Sequence, residues 1–95
     1  MHGEYKTPGG KLVAVEFELE GQLLRHVMVS GDFFLYPEEA IDGITRALDG
    51  LPADADEGAV ARAVTAAIPE GTELMGFSPE AIAIAVRRAL DVHRA

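Results

Sequence analysis

Between Leu12 and Glu20 apolar and polar residues alternate, with Val13, Val15, Phe17 and Leu19 on one side and Ala14, Glu16, Glu18 and Glu20 on the other. A period of two is that of a strand with one face buried. Gly21-Gln22 interrupts the pattern, which resumes through Ser30 with Leu23, Val27 and Val29 on one face and Leu24, His26 and Met28 on the other. A glycine before a variable residue predicts a two-residue type II′ turn, whose first central position needs positive φ, so the two strands are expected to pair antiparallel. Upstream, Pro8, Gly9 and Gly10 predict a turn, with room for a short edge strand before it. Downstream, residues 30–37 combine a turn signal with Phe33, Phe34 and Tyr36, and two courses are open for them: a bent continuation of the sheet or a crossing of the hairpin.

The period then lengthens to that of helices. Pro37-Glu38-Glu39 opens the first, with proline where no donor is needed and acids near the positive dipole end. Ala40, Ile41, Ile44, Ala47 and Leu48 form its apolar stripe, and Gly50 with Pro52 stops it. Asp54 or Asp56 caps a second helix that runs to about Ala67, with Val60, Val64 and Ile68 as its stripe, and Pro69, Glu70 and Gly71 end it. Residues 72–77 form a turn or short extended piece, after which Ser78-Pro79-Glu80 begins a third helix to about His93. Ile82, Val86, Ala89 and Leu90 line its buried face, and Arg87, Arg88 and Arg94 sit towards its cation-favouring end.

Strands first and helices last is the order of an α+β domain: a small antiparallel sheet, a hairpin with a possible third strand, packed by about three helices on one face. The other face of so small a sheet is a natural surface for a partner. At 95 residues the chain makes a single domain, residues 1–95. Eight Lys and Arg against sixteen Asp and Glu leave a net charge of -8, which argues against nucleic acid and against an anionic membrane surface as partners. No apolar run approaches the roughly 20 residues of a membrane span, and Met1-His2-Gly3-Glu4 lacks the build of a signal peptide, so a cytoplasmic location is expected.

Material for catalysis is sparse. With no cysteine, thiolate nucleophiles, thiolate metal sites and disulfides are excluded. The three histidines stand at 2, 26 and 93, and Ser30-Gly31-Asp32 lacks the G-x-S-x-G turn of a serine nucleophile. His26 has no second ligand at suitable spacing on its own strand face, so a hydrogen-bonded histidine on a sheet is preferred over a metal ligand. Glu16, Glu18 and Glu20 offer oxygens to a hard cation, but such a row is more often a solvated face whose repulsion a base such as Lys11 or Arg25 relieves. Gly9-Gly10-Lys11 invites a phosphate, yet a strand follows it where a phosphate loop requires a helix. Lys6 and Lys11, the only lysines, are candidates for contact with an anion in a partner's active site. Phe33 and Phe34, adjacent in an extended segment, point to opposite faces; core packing of both and an interface anchor are the competing readings.

Residues 6–48, KTPGGKLVAVEFELEGQLLRHVMVSGDFFLYPEEAIDGITRAL, resemble the C-terminal or accessory domain of lipoate-protein ligases: K-x-P-G-G-K-L, a strand pair, then G-D-F-F-x-x-P-E-E and a helix. Lys6, Pro8, Gly9, Gly10, Lys11, Gly31, Asp32, Phe33, Phe34, Pro37 and Glu38 carry the pattern. The resemblance implies a fold similar to SufE and NifU scaffolds. It also implies a noncatalytic role as the small subunit of a heterodimer, or as an excised fragment, beside a catalytic lipoate-protein ligase subunit. That complex uses lipoate, ATP and Mg2+ to form lipoyl-AMP and to modify lysines of lipoyl-carrier proteins. Lys6, Gly9, Gly10 and Lys11 are then expected to face the ligase's active site, and Asp32, Phe33, Phe34 and Tyr36 to face the partner. Two alternatives stand beside this reading: a binding or scaffold module for another metabolic assembly, and a small independent hydrolase or metal-dependent enzyme.

Overall fold

The computed structural model describes residues 1–94, and the side chains of His93 and Arg94, expected near the end of the third helix, lie outside the described ones. Eight elements follow in order: β1 (His2–Lys6), β2 (Leu12–Glu20), β3 (Leu23–Gly31), β4 (Phe34–Tyr36), α1 (Ala40–Leu48), α2 (Glu57–Ala67), β5 (Glu73–Met75) and α3 (Pro79–Arg94). The molecule is an α+β domain of three helices and two small antiparallel sheets. β2 is the centre of a three-stranded sheet of order β1-β2-β3, and β4 pairs with β5 in a separate two-stranded ribbon. The edge strand before the Pro8 turn is therefore real. The aromatic segment takes neither of its two expected courses, because the short extended piece at residues 73–75 pairs with it instead.

Two details of the hairpin depart from the alternation. Gly21 and Gln22 both have positive φ, 59° and 69°. That is the type I′ geometry in place of the expected II′, and it matches the twist of the strands at the cost of a non-glycine residue in the left-handed region. Further on, Glu16 pairs with Met28 but Glu18 with Arg25, so Phe17 alone faces two residues of β3, His26 and Val27. His26 absorbs this bulge with φ of 55°. The extra residue reverses the parity of β3. Leu24 is buried with Val27, whereas Leu23 is half-buried on the other side.

The inner face of the sheet, with Val13, Val15, Phe17, Leu24 and Val27, is sealed by Ala81, Ile82, Ala85, Val86, Ala89 and Leu90 of α3 and by Ile44, Leu48, Val60 and Val64 of α1 and α2. α3 sits close enough to β1 that a Cβ on Gly3 would run into the Ala85 carbonyl and lie 2.9 Å from the Ala89 methyl. Arg88 adds a clasp from outside, with its guanidinium 5.0 Å from the Tyr5 ring centre and donating to the Glu4 carbonyl at 3.2 Å. Helix starts follow the sequence signals at Asp56, which accepts from the Ala59 amide at 2.7 Å, and at Ser78, whose hydroxyl accepts from Ala81 at 3.1 Å. Pro37 does not open α1. It lies in a preceding turn whose carbonyl accepts from Ala40 at 3.1 Å, and Glu39 is the cap.

Candidate functional site

The two sequence motifs, far apart along the chain, meet at one end of the sheet. The Thr7–Lys11 turn closes on itself through Gly10 N–H to Thr7 O at 2.9 Å, and Asp32 N–H donates to the Leu12 carbonyl at 3.1 Å. Between the turn and the aromatic segment lies Gly76, a residue the sequence reading did not single out. Its carbonyl accepts from both the Thr7 hydroxyl and the Lys11 amide, each at 3.2 Å. With φ of 88°, and with a would-be Cβ only 2.5 Å from Lys11 Cγ and 3.7 Å from Phe33 Cβ, it admits no side chain without displacing the lysine. The one sequence signal for it is a glycine immediately after an extended stretch, and nothing in that signal discloses that its carbonyl is shared by a turn some seventy residues away.

The expected site residues divide into those facing solvent and those tied inside. Lys6, Gly9 and Lys11 are exposed on the turn, while Gly10 is half-buried against Thr7. Phe33 turns inward and stacks obliquely on Phe77, with ring centres 4.2 Å apart. Phe34 points the other way, as adjacent strand residues must. In the ribbon Phe34 pairs with Met75, Leu35 with Leu74 and Tyr36 with Glu73. Leu35 and Leu74 pack onto the core, which leaves Phe34, Tyr36 and Met75 on the outer side at 68%, 70% and 54% exposure. Asp32 is exposed at the corner where β3 turns towards the ribbon. Beside the ribbon, Val29, Ser30, Gly31, Phe33, Phe34, Leu35, Glu38 and Ile41 border an open cleft of about 300 Å3.

The outer face of the main sheet, expected as a surface for a partner, is a charged one. Met28 is its large exposed apolar residue. His2 stands 2.7 Å from Glu4 and 3.1 Å from Glu16, and His26 stands 3.2 Å from Glu20 and 3.9 Å from Glu18. The bases closest to the glutamate row are thus histidines, His26 from across the hairpin and His2 from β1, with neither Lys11 nor Arg25 reaching it. Arg25 reaches Asp49 at 3.9 Å instead. Hydrogen bonds donated to the Glu4 carboxylate, and then to that of Glu16, raise the His2 imidazole above its ordinary pKa of 6.5. His26 is the hydrogen-bonded sheet histidine expected, but it is exposed where partial burial was expected, and two carboxylates of β2, Glu18 and Glu20, lie beside its imidazole across the hairpin. Ligand atoms of Glu18, Glu20 and His26 lie within 4.8 Å of one another, all three side chains being exposed. This is the single such grouping among the described residues, and it sits at the opposite end of β2 from the lysine turn.

The fold and the assembled motif end define a class: a small α+β domain with an exposed aromatic ribbon next to a glycine-lysine turn. No protein-family model matches the chain, and no curated protein does. Among solved structures, one chain from an archaeal lipoylation system of Thermoplasma acidophilum, a bipartite lipoate protein ligase and its E2 lipoyl domain, is similar to it. The TM-score is 0.64 with 26% sequence identity, over 92% of this chain and 98% of that one.

Proposed function

We propose that this chain is the accessory subunit of a two-part lipoate-protein ligase, required with a separate catalytic subunit for lipoyl-AMP formation and for lipoylation of carrier-protein lysines. The observation that carries the reading is the likeness, along nearly the whole of both chains, to a component of a bipartite lipoylation system. The closeness of the two motifs supports it, because residues of a single binding end have to be neighbours in space: the Gly76 carbonyl holds the K-x-P-G-G-K turn, Asp32 N–H donates to the Leu12 carbonyl, and Phe33 lies against Gly76.

In this reading the chain acts by selecting a conformation. Docking favours the adenylation-competent arrangement of the catalytic subunit only as far as the chain binds that arrangement more tightly than the other. Lys6 at the end of β1 and Lys11 at the end of the turn present exposed cationic groups, suited to a phosphate or carboxylate of the nucleotide or acyl-adenylate held by the partner. Lipoate and ATP are substrates of the complex. Its Mg2+ does not match the donors of this chain's motif end, where among the described residues the carboxylates of Asp32, Glu38 and Glu73 form no close ligand grouping, so the ion belongs with the nucleotide on the catalytic subunit. The complex works in the cytoplasm. No described helix is long and apolar enough to cross a membrane.

The test is lipoate-dependent pyrophosphate release by a catalytic subunit from the same source, with and without this chain. A marked increase on addition is expected; equal rates would overturn the reading, as would turnover of lipoate and ATP by this chain alone. Lys11→Ala is expected to lower adenylation by the complex while leaving complex formation intact.

A further inference from the structure

The ribbon carries an apolar surface that the fold does not use. Phe34, Tyr36 and Met75 lie together on its outer side, each more than half exposed, whereas Phe33 and Leu35 on the inner side already have partners within the domain. An aromatic pair with a flexible thioether is the composition of an interface anchor. The patch also has a charged border of one predominant sign. Glu73 is the cross-strand neighbour of Tyr36, Glu38 borders the cleft under Phe34, and Asp32 stands at the preceding corner. No salt bridge or side-chain hydrogen bond engages these three carboxylates among the described residues, in contrast to Glu4, Glu16, Glu18 and Glu20, which face histidines. Unpaired acids around a dry centre call for a partner with an apolar projection flanked by Lys or Arg. Lys11, packed against Gly76, lies on the turn side of the ribbon, so a partner seated here is led directly to the lysine turn.

We propose that the outer side of the β4–β5 ribbon, centred on Phe34, Tyr36 and Met75, is the surface on which the catalytic ligase subunit seats, through an apolar projection bordered by basic side chains. The proposal rests on the accessory-subunit reading and adds to it which face docks and what complements it. The charged outer face of the main sheet is then free of the partner.

Calorimetric titration of a catalytic subunit from the same source with the whole chain tests this. Phe34→Ala and Tyr36→Ala are expected to weaken binding by about 30-fold or more, the effect of losing a hot spot. Glu73→Lys with Glu38→Lys is expected to weaken it further and to reverse its dependence on salt. Met28→Ala, on the main sheet, is expected to bind as the unaltered chain does. Circular dichroism and thermal unfolding identify any variant that has lost its fold, and the charge reversals, on exposed positions, give an independent reading if an aromatic variant does. If the unaltered chain binds and the ribbon variants bind equally well, the docking face is wrong while the accessory role stands. If the unaltered chain does not bind, both fall. Weakening by Met28→Ala instead of Phe34→Ala would move the interface to the main sheet and overturn the proposal.

Discussion

At the scale of single residues, the histidines show how an acidic chain moderates its own charge. His2 is held between Glu4 and Glu16, and its protonated form is favoured in the folded state. A raised folded pKa means that the stabilisation is fully present below the unfolded value near 6.5, and is lost as pH rises through the higher folded value. In an NMR titration Glu4→Gln should bring the His2 midpoint down towards its ordinary value, and Glu16→Gln should do so to a smaller extent. Backbone conformation gives a second expectation. Gln22 sits at φ of 69°, so Gln22→Gly should stabilise the hairpin by roughly 0.5 to 1 kcal/mol in urea unfolding, less whatever chain entropy the glycine adds to the unfolded state. The alternation and the glycine disclose that a turn lies here. They do not disclose its type, because a side chain that tolerates positive φ under the pull of strand twist leaves no mark in the residue pattern.

Elements meet where side chains are absent, and those places are the sensitive ones. Gly3→Ala would push β1 from α3 at the Ala85 carbonyl and is expected to cost about 1 to 3 kcal/mol in chemical unfolding, as overpacking of a core does. Gly76→Ala combines positive φ with a contact on Lys11 Cγ, and should lower the hydrogen-exchange protection of the Lys11 amide, whose acceptor is the Gly76 carbonyl. The buried stripes of all three helices and the caps at Asp56 and Ser78 were legible because each depends on residues a few positions apart. The faces of β3 were legible only beyond the bulge. A strand pattern assumes a fixed step, and the extra residue at His26 shifts Leu24 to the buried side. The β4–β5 pairing was not legible at all, since three-residue strands separated by two helices carry no local record of each other. For the candidate site, the motif residues could be named from the sequence. Their division into an inward Phe33 and an outward Phe34 came from the ribbon's register, and Gly76 from the tertiary fold alone.

Taken whole, the molecule carries a net charge of -8 on 95 residues, and among the described residues most close acid–base contacts are exposed ones with histidine. Self-repulsion in such a chain is screened by salt. Raising sodium chloride from low to near-molar concentration is therefore expected to raise the thermal unfolding midpoint by several degrees. A fall on adding salt would show that attractive pairs dominate. The shared carbonyl of Gly76 has a mechanical consequence on the same scale. Two hydrogen bonds onto that one oxygen couple the lysine turn to the end of β5, so a shift in either is felt by the other.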